Sequence, residues 1–550
     1  MKRTKRLLKA CVALALALGV SACGQAAQDN AGATDAKQAS PTKETTVATN
    51  ATFEKAEGIR PRTIVTTDLE CDDICALIHM LLYTNEIDLD GIVVTSSTYH
   101  WTGDGKHTQA EINDHTIGAE HQEEGNNLTS WRPMDLEYLP KLIGEDYAAV
   151  YPSLVANDER YPSPDDLLSR VHLGNYEFEG DTRSDTDGSD FIKQCLLDED
   201  DRTLYLEAWG GANTVARALM SIEDEYKGTD DWDNVHKAVS DKAILISFGD
   251  QDTTYEDYIA KEWPDLEHKY CVTAGYGYGM QNIAPLDVQD TFRGTWLKEN
   301  IKFDHGALLE AYPLIGDGIY YEGEQEASQF GDLEVVKNSW LSFVGVDWQK
   351  YDFISEGDAP CFMYLIPVGL RGLEDSTYGS WGGRMYDKGA IPEYDVTRGM
   401  VTDGYSAHRW LKAYQNDFCA RADWCVNGYE DCNHQPVVDV ETADFEAQAG
   451  TTVELKGKAY DPDGDDISCN WFVYTEACTY EGQNAATMDV WSHGDLTTSF
   501  TIPADAKVGD KFNLVLEVTD DGEPALTRYA QVIVSVNKEA EPVDAGQMTW

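Results

Sequence analysis

Thr63-Ile64-Val65-Thr66-Thr67-Asp68-Leu69-Glu70-Cys71-Asp72-Asp73 is the stretch from which the rest of the chain is read. The apolar run Thr63-Ile64-Val65 has the length and β-branching of a buried strand, and Ile74 to Leu82 reads as the helix that leaves it. The carboxylates between them therefore stand at a strand's carboxyl end, which is where ligands bind in an open parallel α/β sheet. Asp68, Asp72 and Asp73, with Glu70 among them, repel one another and call for a cation, a proton or water. A hard cation such as Ca²⁺ accepts about 6–8 oxygens in irregular geometry. The competing reading is that Asp72 and Asp73 cap the helix, whose dipole favours anions.

Working outward, short apolar runs recur at Gly91–Thr95, Thr203–Ala208, Ala243–Ser247 and Cys361–Ile366, with helix-like segments such as Asn213 to Leu219 between them. This alternation predicts a mainly parallel sheet covered by helices. After Pro436 the texture changes to short alternating stretches at Thr452–Gly457, Asn470–Tyr474, Ser499–Ile502 and Asn513–Val518, spaced by turn residues like the strands of a β-sandwich.

Asp68-x-x-x-Asp72-Asp73 on a first strand resembles the aspartate signature of nucleoside hydrolases. Further blocks resemble one branch, the nucleoside-hydrolase-like, "cellulose-binding" DUF1593 family. These are Gly91-Ile92-Val93 with Ser97 and His100-Trp101, Trp209 to Thr214, Asp250-Gln251-Asp252, Glu356-Gly357-Asp358 and Trp381-Gly382-Gly383-Arg384. The resemblance implies an open, mainly parallel sheet with helices on both faces, followed by a C-terminal Ig-like β-sandwich. It implies Ca²⁺ held by Asp68, Asp73, Asp358 and the Trp209 carbonyl, with Asp68 as the base that takes a proton from water. Substrate contacts are expected from Asp72, Asp250, Gln251, Asp252, Glu356, Trp381 and Arg384. Three positions depart from the hydrolase pattern: Gly357 stands where some members carry a histidine that assists the leaving base, Thr66 where an additional Asp is common, and Glu70 where Gly is usual. A long side chain at Glu70 is expected to fill part of the ribose pocket.

At the N-terminus, Met1 to Arg6 is basic and Val12 to Leu18 apolar, the pattern of a signal peptide over residues 1–22. Val20-Ser21-Ala22-Cys23 resembles a lipobox, implying lipid attachment at Cys23 and an exported protein tethered to the bacterial envelope, touching the membrane only through that anchor. Residues 23–58 lack apolar periodicity and are read as a flexible tether. The nucleoside-hydrolase-like domain is expected over 59–432, the Ig-like domain over 435–537 and a tail over 538–550. A formal net charge of −56 repels polyanions, which argues against nucleic acid as a partner. In an exported protein, Cys419, Cys425 and Cys432, and likewise Cys469 and Cys478, are expected disulfide partners; zinc is the rival for the first group, beside His434. His100, His107, His115 and His121 fall in a polar insertion and are read as solvated.

Two functions follow. One is hydrolysis of an N-glycosyl or related ribosyl or glycoside bond through a Ca²⁺-activated water. The alternative is a lipid-tethered, non-catalytic module that binds cellulose or another plant polysaccharide on aromatic rings, its hydrolase pocket vestigial.

Overall fold

The computed structural model describes residues 46–47, 52–55, 58, 60–112, 127–271, 275–321, 330–386, 389–483, 485, 488–490, 492 and 494–540. Its chain divides into two compact units, one spanning Ala56–Asn433 and the other combining Met1–Lys55 with His434–Trp550. The signal-peptide segment, Cys23, His115, His121 and most of residues 538–550 lie outside the described residues.

The larger unit is built on a six-stranded, wholly parallel sheet. Its strands are β1 (Arg62–Thr67), β2 (Asp88–Val94), β3 (Val171–Leu173), β4 (Leu204–Ala208), β5 (Ala243–Ser247) and β6 (Glu267–Tyr270). They lie in the order β3-β2-β1-β4-β5-β6, so the winding reverses between β1 and β4. Ile64, Val93, Leu206 and Leu245 pack on helices α2 (Asp187–Leu197), α3 (Asn213–Tyr226) and α4 (Trp232–Lys242) in one hydrophobic core. Val65, Ile92 and Val94 are buried too. Because successive strand residues point to opposite faces, both faces of the sheet are covered, as a parallel sheet requires. Helix α1 (Cys71–Leu81) is buried along its whole length and packs against α5 (Ala359–Met363).

The run Cys361–Ile366, expected to be a strand, belongs to α5 and the turn after it. A short apolar run reads equally as a buried strand or a buried helical turn, and Pro360 at the start of α5 favours the helix.

The second unit contains two sheets. One joins β7 (Val437–Val440), β9 (Thr452–Tyr460) and β11 (Thr497–Thr501). The other joins β10 (Ile467–Val473), β12 (Lys511–Asp520), β13 (Thr527–Lys538) and β8 (Asp444–Gln448). Val438, Leu455 and Phe500 from the first share a core with Trp471, Leu516 and Val534 from the second, which makes the pair a sandwich. At the Asp461–Asp465 turn, Asp461 Oδ1 accepts from the backbone N–H groups of Asp463, Gly464 and Asp465.

Two expectations change here. Part of the presumed tether is docked, since Thr46–Val47 pairs antiparallel with Ile467–Ser468 and the Phe53 ring meets Tyr460 edge-on at 5.3 Å. No cysteine from Cys71 to Cys478 is bridged. Cys419 lies on helix α6 (Leu411–Trp424) and Cys425 is its C-cap, so six residues of helix separate them by roughly 9 Å, beyond disulfide reach. The Cys478 thiol instead lies 3.4 Å from the Tyr474 carbonyl and accepts from Asn513 N–H. His434 pairs with Asp463 at 3.1 Å.

Candidate metal and substrate site

Asp68 follows directly on β1. Leu69 then adopts a left-handed φ of 58°, unusual for a residue with a Cβ, and turns the chain into α1. The turn is tied by Leu69 N–H to Thr67 Oγ1 (3.1 Å) and Glu70 N–H to Asp68 Oδ1 (3.2 Å). Glu70 is the N-cap of α1 and makes no capping side-chain bond. Asp72 and Asp73 serve the site instead: one oxygen each from Asp72, Asp73 and Asp358 lies within 4.8 Å of the others, all three residues being buried. Thr67 Oγ1 donates to Asp73 (2.6 Å) and Ser355 Oγ to Asp72 (3.4 Å). Both oxygens of Asp358 and Oδ2 of Asp68 are buried with no hydrogen-bond partner among the described residues.

Crowding sets the electrostatics. Burial, then Glu70 and Asp68, push the Asp72 carboxyl up to about 8. Asp73 and Asp358 are held well above the ordinary carboxylate range, Asp73 by burial and then by the charges of Asp68 and Asp72, Asp358 by burial and then by Asp73 and Asp72; Asp68 is raised chiefly by burial. Four carboxyls that resist ionisation, with unpartnered oxygens converging, are a donor set suited to a hard divalent cation.

Glycines let the neighbouring strand end come this close. A Cβ at Gly210 would sit 3.1 Å from Asp68 Cβ, and one at Gly211 would sit 2.2 Å from Asp252 Oδ2. Gly357 is equally constrained, since a Cβ there would lie 2.6 Å from the Phe248 ring and 3.1 Å from Asp72 Oδ2. Asn213 Oδ1 accepts from Thr95 Oγ1 (2.8 Å), while its amide donates to Ser96 Oγ and to the Asn175 and Asp181 carbonyls, lashing the ends of β2 and β4 together.

The remaining sequence-predicted residues divide. The Trp209 carbonyl accepts from Gln251 Nε2, and Gln251 O accepts from Thr98 N–H, so Gln251 bridges three strand-end loops. Asp252 is buried, accepts from Thr254 through Oδ1 and leaves Oδ2 beside Gly211; burial raises its carboxyl to about 6. Asp250 is exposed and accepts from the Tyr270 hydroxyl at 2.6 Å.

Three residues expected to contact substrate have protein partners of their own. Glu356 is fully buried and engaged by His79 Nδ1 (3.0 Å) and the Tyr312 hydroxyl, because a carboxylate with no access to water needs partners of its own. Trp381 is fully buried, its ring 5.5 Å from Tyr414 in an edge-to-face contact. Arg384 neutralises Glu393 (3.0 Å), which Arg409 also holds. The partners of all three named here lie outside the acid cluster.

Arg132 and His100 join the site without having been predicted in it. Arg132 Nη1 lies 3.0 Å from Glu70 Oε1, and the Arg132 carbonyl lies 2.6 Å from His100 Nδ1. Burial alone would raise the Glu70 carboxyl, but Arg132 and His100 outweigh it and hold it at about 2. His100 is thus buried, not solvated; His107 is the exposed one, paired with Asp104. Arg132 stands far from Glu70 in sequence, and only its position in an insertion poor in basic residues marks it.

Acids at the ends of β1 and α1, facing the end of β4 across the point where the winding reverses, define a nucleoside-hydrolase-like α/β domain with its site at the topological switch point. Residues 62–385 match the family described as cellulose-binding Sde182, nucleoside hydrolase-like domain, and the chain belongs to that family. Residues 452–536 match the C-terminal domain of cellulose-binding protein Sde0182. Among solved structures, a nucleoside hydrolase-related hypothetical protein from Saccharophagus degradans, associated with carbohydrate metabolism, aligns at a TM-score of 0.63 with 24% identity, over 87% of this chain and 100% of its own. A plant nucleoside hydrolase aligns at a TM-score of 0.27 with 13% identity, over 57% of this chain and 80% of its own. No curated protein matches.

Proposed function

We propose that the protein hydrolyses a glycosidic bond, N-glycosyl or a related ribosyl or glycoside linkage, at a Ca²⁺ site held by Asp72, Asp73 and Asp358 with Asp68 adjoining. The observation that carries this reading is the convergence of three buried carboxylates beside acid oxygens that have no hydrogen-bond partner among the described residues. Bound there, the cation supplies charge that stabilises the carboxylates and lowers the pKa of nearby water. Asp68 Oδ2 takes the proton of the attacking water. Asp72 accepts a sugar hydroxyl, pushing electron density toward a ring that becomes oxocarbenium-like. Asp252 and Gln251 flank the same strand ends and complete the sugar contacts.

A second reading has one specific support, the family's description as cellulose-binding. In it the cluster stabilises a pocket that holds polysaccharide without turnover. We place the protein outside the cytoplasm, anchored through Cys23, on the strength of the leader and lipobox pattern.

Calorimetric titration of the chelator-stripped mature protein with Ca²⁺, with Asp73→Ala alongside, tests the site. One site present in the wild type and lost in the variant is expected; binding unchanged by Asp73→Ala overturns the metal centre. Turnover of nucleosides or glycosides then supports the first reading, and retention on cellulose without turnover supports the second.

A further inference from the structure

We propose that His100 is the residue that delivers a proton to the leaving group, an inference that rests on the hydrolytic reading above. A ring nitrogen 2.6 Å from the Arg132 carbonyl oxygen must carry a hydrogen, because a carbonyl oxygen only accepts. Nδ1 is therefore the fixed N–H, and Nε2 is the ring nitrogen left to face a reacting group. Nε2 is buried with no hydrogen-bond partner among the described residues, and it lies 3.9 Å from Glu70 Oε1. His100 itself is 1% exposed.

The scaffold around the ring is rigid. His100 N–H donates to Ser97 Oγ and Ser97 N–H to the His100 carbonyl, closing a tight turn at the end of β2. Arg132 adopts a left-handed φ of 49° and from that strained backbone does two things: its carbonyl fixes the imidazole and its guanidinium fixes Glu70. Backbone strain of this kind persists where the surroundings impose it and concentrates at functional sites. The Glu70 side chain is 20% exposed, against 9% for Arg132 and 2% for His100.

The chemistry leaves one role open. The bond between the anomeric carbon and the leaving atom breaks with its electron pair going to the leaving atom, which then needs a proton unless its anion is stable. Water oxygen bonds to the anomeric carbon and gives its proton to Asp68. Asp68, Asp72, Asp73 and Asp358 serve as acceptors, and the Tyr99 hydroxyl nearby is pushed up to about 12, chiefly by burial and next by Glu70. The imidazolium at His100, its charge balanced by Glu70, gives up its Nε2 proton to the leaving atom; the proton on Asp68 returns to solvent and His100 is recharged.

The test compares leaving groups in the full-length mature protein, with inosine and uridine on one side and p-nitrophenyl riboside, whose phenolate departs unprotonated, on the other. His100→Gln is expected to lower turnover of the nucleosides by about 100-fold or more while p-nitrophenyl riboside changes by less than roughly threefold. Equal losses on both substrates, or none on either, overturn the proposal. A wild type that turns over neither overturns the hydrolytic reading and takes this role with it. Independently of activity, ¹⁵N NMR of histidine-labelled, metal-free protein, with His100→Gln for assignment, is expected to show a hydrogen on His100 Nδ1; a ring whose Nδ1 carries none overturns the proposal.

Discussion

Glu207, on β4 and wholly buried, accepts from Thr63 Oγ1 (2.9 Å) and Trp209 Nε1 (3.0 Å). Burial raises its carboxyl from 4.5 to about 7, the two donors opposing the shift. A carboxyl whose folded pKa is raised binds its proton more tightly folded than unfolded. Its contribution is full below 4.5, fades as pH rises and is gone above about 7. Glu207→Gln keeps an acceptor for Trp209 Nε1, lets the amide N–H₂ donate to Thr63 Oγ1, whose own hydrogen can go to the Tyr205 carbonyl, and removes the titration. Urea unfolding between pH 4.5 and 7 is expected to fall with pH by about 3 kcal/mol more in the wild type than in the variant. At this scale Asp68, Asp72 and Asp73 were legible because one turn of chain carries them all. Arg132 and His100 were not: their tie to Glu70 forms only when a long insertion folds back, and spacing says nothing about a contact of that kind. Trp381 and Arg384 show the converse, since the Trp-Gly-Gly-Arg motif was legible while the partners it meets, Tyr414 and Glu393, were not.

The turn from β4 into α3 shows how tightly whole elements are set. Gly211→Ala places a methyl 2.2 Å from Asp252 Oδ2 and 2.7 Å from the Ser96 carbonyl, one an unpartnered oxygen and the other backbone. Something must move, and denaturant unfolding is expected to show a loss of about 1–3 kcal/mol, with Ca²⁺ affinity reduced as the strand ends part. Four of the six parallel strands were readable from composition, Ala243–Ser247 to the residue, because β-branched apolar runs buried on both faces have few other uses; β3 (Val171–Leu173) and β6 (Glu267–Tyr270), short and carrying His or charged residues, were not. α5 was not readable, for period and length do not separate a five-residue helix from a strand. In the sandwich, Trp471 packs in the core and its Nε1 donates to the Leu496 carbonyl at 3.1 Å. Trp471→Ala is expected to cost the second unit roughly 3–5 kcal/mol, read by thermal unfolding of the full chain.

For the whole molecule the charge of −56 opposes compaction, and screening relieves it. Raising NaCl from about 10 to about 500 mM shrinks the screening length several-fold, and the melting temperature is expected to rise by a few degrees. Choline chloride is expected to do the same, because the effect is one of ionic strength.

The short pairing of Thr46–Val47 with Ile467–Ser468 gives the chain an unusual circuit. The polypeptide visits the sandwich, leaves to build the α/β unit, and returns at His434 to finish the sandwich. The α/β unit is an insert whose two chain ends are stitched to the same body. A pull applied through the N-terminal segment is borne first by that two-residue stitch, and after it slips the load passes to β1, whose end carries Asp68. Tension on the N-terminal segment would therefore reach the strand that carries Asp68 only after the Thr46–Val47 pairing and the Phe53–Tyr460 contact have given way.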